Sequence, residues 1–98
     1  MLVYDTESGR LVTSVDIVGD TDDLFYDAAH KRVYVIGGEG FITVLDQQDA
    51  DHYTTAQKVP TAAGARTGLF VPELNRLFVA VPHRGSQRAE IRVFETVN

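Results

Sequence analysis

The sequence predicts an all-β protein built from repeated antiparallel meanders, and three observations carry the prediction. The stretch at residues 24–35, LFYDAAHKRVYV, returns at residues 69–79 as LFVPELNRLFV. Each copy is followed by a polar turn and a second apolar run, FITVLD at 41–46 and IRVFE at 91–95. Self-similarity at a period of roughly 45 residues marks an array whose unit cannot bury its own apolar faces and must stack on a neighbour. Second, short apolar runs alternate with turn chemistry and helical periodicity is absent, which is the signature of strands. Third, residues 33–36 and 77–81 are apolar without interruption, and a strand lacking polar alternation is one buried on both faces.

The elements follow in order. Residues 2–5 read as a strand, closed by the turn TESGR. Residues 11–17 alternate, with Leu11, Thr13, Val15 and Ile17 on one side and Val12, Ser14 and Asp16 on the other. The loop VGDTDD leads to a strand at 24–28, and a turn at 29–31 leads to the next at 32–36. Gly37, Gly38 and Gly40 supply the freedom for the following reversal. Strands at 41–46 and 53–59 flank the turn QQDAD, and Pro60 ends the second. The loop TAAGART precedes a strand at 68–71. Pro72-Glu73-Leu74-Asn75 is a turn with proline preset at its first corner. A strand at 76–81 stops at Pro82, and the polar loop HRGSQR leads to the last at 89–95.

Composition narrows the function classes. The chain has 98 residues, the size of one small domain, and no cysteine, so disulfides and cysteine zinc sites are excluded. No apolar run approaches the roughly 18 residues of a membrane helix. Met1 is followed by LVYD without a signal-type basic and apolar segment. The net charge is −5, unevenly placed: residues 1–49 hold ten acidic and three basic side chains, residues 50–98 four acidic and six basic. That argues against a nucleic-acid surface, which needs clustered Lys and Arg. Read as ordinary solvated surface it means little; read sharply it suits head-to-tail contact between copies.

Residues 17–46, IVGDTDDLFYDAAHKRVYVIGGEGFITVLD, resemble the YVTN-type β-propeller repeat of bacterial surface and periplasmic proteins. Val18-Gly19, Tyr34-Val35 and Val44-Leu45-Asp46 match its pattern; Phe78-Val79 and Val93-Phe94-Glu95 match it more distantly, and residues 2–5 match the last strand of a preceding unit. The resemblance implies four-stranded blades: an outer strand of a preceding blade or a clasp at 1–5, a first blade at 11–46 and a second at 53–95. Tyr34, Phe78, Val35 and Val79 then lie in the core between blades. Closed propellers need about four blades or more, so the resemblance implies a homo-oligomer that completes a ring, with residues 2–5 clasping a neighbouring chain. A periplasmic or extracellular home goes with the parent family.

Candidate chemistry is sparse. Asp20, Asp22 and Asp23 crowd one loop and supply the oxygens a calcium ion prefers, yet their spacing is not that of a calcium-binding loop. A solvated acidic loop is the plainer reading. Arg66, between Gly64 and Gly68, could fork onto a carboxylate or phosphate; the alternative is an internal salt bridge to Asp22 or Asp23. His30, His52 and His83 read as exposed turn residues. No nucleophile elbow, Walker loop or zinc-hydrolase motif is present. The expectation is therefore a non-enzymatic scaffold or binding fragment without cofactor, nucleic-acid or membrane partner. The alternatives are a piece of a lactonase-like or quinoprotein-like propeller, or a cell-surface adhesion module.

Overall fold

The computed structural model describes residues 1–4, 6–17, 19, 21–50 and 52–96, with Val12 described by its backbone only. Nine strands lie among them: β1 (Leu2–Tyr4), β2 (Leu11–Ser14), β3 (Thr21–Asp27), β4 (Arg32–Gly37), β5 (Phe41–Asp49), β6 (His52–Pro60), β7 (Thr67–Val71), β8 (Arg76–Val81) and β9 (Glu90–Glu95). A 3-10 turn at Pro72–Leu74 joins β7 to β8. The protein is all-β, as its patterning predicts.

The strands form three antiparallel sheets, β1-β2, β3-β4-β5-β6 and β7-β8-β9. This pairing differs by one strand from the groups expected at 11–46 and 53–95. β2 pairs with β1 rather than β3, and β6 continues the sheet of β5 rather than opening the next. Loop length explains the difference. β5 and β6 meet through a tight reversal with Asp49 opposite His52, and short reversals join antiparallel neighbours. The longer links at 15–20 and 61–66 are the ones that change sheets. β1 pairs with β2 of its own chain.

Two turns repeat in detail. Lys31 and Asn75, each just before an inner strand, adopt the left-handed conformation at φ 53° and 52°. Asparagine takes this region readily, lysine at a cost of about 1 kcal/mol. The carbonyl of Lys31 accepts from Gln47 N and that of Asn75 from Thr96 N, both at 2.9 Å. Arg32 faces Asp46 and Arg76 faces Glu95 across the following strand, each pair 3.5 Å apart.

The core sits on both faces of the four-stranded sheet. Tyr34, Ile36, Ile42 and Val44 pack against Leu77, Val79 and Val81 of the third sheet. Val33, Val35 and Leu45 pack the other way, against Met1, Val15 and Ile17. β4 is thus buried on both faces, and a fully buried Ile or Val contributes about 1.5–3 kcal/mol. β8 is not. Leu77, Val79 and Val81 are buried, but Phe78 is only half-buried, because it faces outward where no further sheet covers it. Of the four expected core residues, Tyr34, Val35 and Val79 are buried and Phe78 is the exception.

Candidate functional site

The acidic loop and its basic counterpart fall at the edge strands β3 and β7, which approach each other between sheets. Asp22 is the extra residue of a β-bulge between Thr21 and Asp23 and is exposed. Asp23 points the other way, and its Oδ2 accepts from Gly68 N at 2.8 Å. It occupies an edge amide that would otherwise face a neighbouring sheet unpaired. A glycine is needed there, since a Cβ on residue 68 would stand 2.5 Å from Ile36 Cδ1 and 2.7 Å from the Phe78 carbonyl oxygen. Asp23 is therefore a stitch between sheets. Asp20 lies outside the described residues. Among the described residues no three or more His, Asp or Glu side chains gather at a point that could hold a metal ion. Arg66 is exposed and shares a shallow depression with Gly64, Thr67, Pro82 and Arg84.

The tightest polar cluster is one the motif search passes over. Asp27 closes β3 and is almost fully buried. Tyr34 Oη donates to its Oδ2 at 2.7 Å. His30 N donates to its Oδ1 at 3.2 Å, and His30 Nδ1 lies 2.7 Å from Oδ2. Burial pushes the Asp27 carboxyl up, but the bonds from Tyr34 and His30 and the charge of His30 outweigh it, and its pKa lies below the ordinary 3.8. Burial, then the bond to Asp27, pushes the Tyr34 hydroxyl up to about 12. His30 is thus half-buried and engaged, not the exposed turn residue its position suggests. The Asp at a strand end with a His three residues on was the available signal. The cluster ties the β3–β4 turn to the core, and Tyr34 continues it into the next sheet through a tilted ring contact with Phe70, centroids 5.4 Å apart and planes at 59°. His52 pairs with Asp49 at 2.7 Å on the open surface, and His83 is exposed.

The outer surfaces carry the remaining features. Leu2, Tyr4 and Leu11 are exposed on the far face of the first sheet. Leu69, Ile91 and Val93 are exposed on the far face of the third. Leu24 and Tyr26 of β3 lie bare beyond the reach of the two-stranded first sheet, on the face that it covers elsewhere. Between β9 and the β5–β6 hairpin runs a groove of about 340 Å³ lined by Tyr34, Val44, Val59, Leu77, Phe94 and Thr96 among others. Sequence reasoning could not see this groove, which depends on β6 belonging to the central sheet. Compared with known proteins, the chain matches no family model, no curated protein and no solved structure.

Proposed function

We propose that this chain is a non-enzymatic β-propeller scaffold and binding fragment that associates with copies of itself to complete a ring. One observation carries the reading: the central four-stranded sheet packs a core on each face, while the flanking sheets have two and three strands and turn apolar faces outward. Contiguous exposed apolar surface on a small protein marks an interface. The two surfaces lie at opposite ends of a molecule measuring 47 × 27 × 20 Å. Contacts between unlike ends are head-to-tail and close into rings when the rotation permits. The approach of β3 and β7, the first strands of successive sheets, supports stacking around an axis rather than in a flat pile. Rings of this architecture hold roughly four to eight sheets. The acidic first half and basic second half suit the same contact.

Light scattering tests the reading. A single species at a small whole-number multiple of 10.8 kDa is expected. A well-folded, monodisperse species of 10.8 kDa at micromolar concentration would reject self-association.

A further inference from the structure

Three strands of this chain hold the same place. β5 carries Val44-Leu45-Asp46, β9 carries Val93-Phe94-Glu95, and β1 carries Val3-Tyr4, with Asp5 next in the sequence. Two of the three have an outer partner, β6 for β5 and β2 for β1. The two outer hairpins even share a defect. Each shifts register by one residue at the same place, between Val3 and Tyr4 in one and between Val44 and Leu45 in the other. β9 pairs with β8 along one edge, and no described strand pairs with the other. An open edge presents a row of backbone donors and acceptors to any extended segment. The groove beside it is bounded by Val59, Leu77 and Phe94. Thr96 Oγ1 is buried there without a partner among the described residues. Gln47, at the matching place on β5, donates to Tyr53 of its outer strand at 3.0 Å.

We propose that the outer edge of β9 and the groove beside it receive β2 of a second copy of this chain, so that β9 takes the place β1 holds. The proposal rests on the ring reading and names the strands that make the joint. Among the described strands β2 is the one that pairs with the Val-aromatic step of β1, which β9 repeats as Val93-Phe94. In the β1–β2 register Thr13 lies opposite Val3 and Leu11 opposite Tyr4. Transferred to β9, Thr13 falls opposite Val93 and Leu11 opposite Phe94. Leu11, exposed in the single chain, enters the apolar groove. Arg10, next along the chain, reaches the end of the groove that holds Asp46 and Glu95. The exchange also explains the bare residues on β3. β7 and β8 of the incoming sheet extend beyond the place of β1 and cover Leu24 and Tyr26. β1 is then a competitor for the joint, not its clasp.

The chain has no cysteine of its own, so two single substitutions report the joint cleanly. Thr13→Cys and Val93→Cys chains are purified separately, mixed and oxidised. A disulfide between the two variants is expected, because facing strand neighbours lie about 4.5–5.5 Å apart at Cβ. Thr13→Cys mixed with Ile91→Cys, two residues along the strand on the same face, is expected to link at least tenfold less. As a second measurement, a chain starting at Glu7 is expected to associate at least tenfold more tightly, since its β2 edge is already free. If the full chain is oligomeric yet Thr13→Cys and Val93→Cys do not link, the exchange is overturned while the ring reading stands, and the groove belongs to another strand. If the chain is monomeric and unlinked, both fall. Weaker association of the shortened chain would restore β1 as the clasp and overturn the exchange.

Discussion

Asp27 is held by opposing demands. Its carboxylate is buried, which disfavours the charge, yet three donors from Tyr34 and His30 converge on it and win. Because its folded pKa lies below 3.8, its contribution to stability is complete above that value and drains as pH falls through the folded pKa. Tyr34 has the opposite sign: its pKa rises from 10.0 to about 12, so it stabilises the fold below pH 10 and the contribution is lost as pH climbs towards 12. Tyr34→Phe keeps the ring and removes one donor from a buried carboxylate. It is expected to cost about 1–3 kcal/mol at neutral pH, to flatten the acid limb of the stability curve and to remove the alkaline loss. Denaturant titrations across pH measure all three, and a variant as stable as the parent would refute the role of the bond. Tyr34→Ala removes the ring as well and should cost about 3–5 kcal/mol. The importance of the Tyr34 ring was legible in the sequence, because it lies in an apolar run. Its hydroxyl was not, because the partner sits across a turn whose geometry only the left-handed Lys31 defines.

At the scale of elements, the sequence located strands well and paired them one step out of phase. The run of apolar residues and turn signals marked each of the nine described strands within a few residues. Which strands share a sheet depends instead on which reversals are tight, and QQDAD looks no tighter than VGDTDD on composition alone. The repeat itself misled by one position: the sequences align Leu24 with Leu69, whereas the ladders place Phe25 opposite Tyr34 and Leu69 opposite Phe78. A strand shifted by one residue reverses every face, and this is why Leu24 and Leu69 are exposed on opposite sides of their sheets. At the inner edge where the second and third sheets meet, Gly68 leaves no room for a Cβ, which would strike Ile36 of the second sheet and the Phe78 carbonyl of its own sheet. Gly68→Ala is expected to cost about 1–3 kcal/mol by overpacking, since the Ile36 methyl can turn aside but the backbone oxygen cannot. It should also lengthen the bond from Gly68 N to Asp23. A melting temperature equal to the parent's would show that the sheets have room to part.

Over the whole molecule, the unevenness of burial is the organising fact. A chain of this length buries a modest share of its surface, and here that share is concentrated on one sheet. Residues with the same place in the repeat meet different fates according to what lies beyond them: Tyr34 is buried and Phe78 half-buried, Val44 is buried and Val93 exposed. Nothing local to Phe78 or Val93 explains this; the missing neighbour does. The end face formed by Leu69, Phe78, Ile91 and Val93 should therefore drive association while contributing little to the fold of one chain. The double substitution Ile91→Lys and Val93→Lys tests that separation. Both side chains are more than half exposed, at 63% and 53%, so adding charge there should leave the strand content of the single chain intact. Two ammonium groups on an apolar face would have to be buried unpaired for a second sheet to pack on it, which is costly. The variant is expected to elute at 10.8 kDa with the parent's circular dichroism. A folded variant that keeps the parent's oligomer mass would move the interface elsewhere. A variant that unfolds would show that the single chain is stable only within the ring, and dilution of the parent below its dissociation constant should then unfold it too.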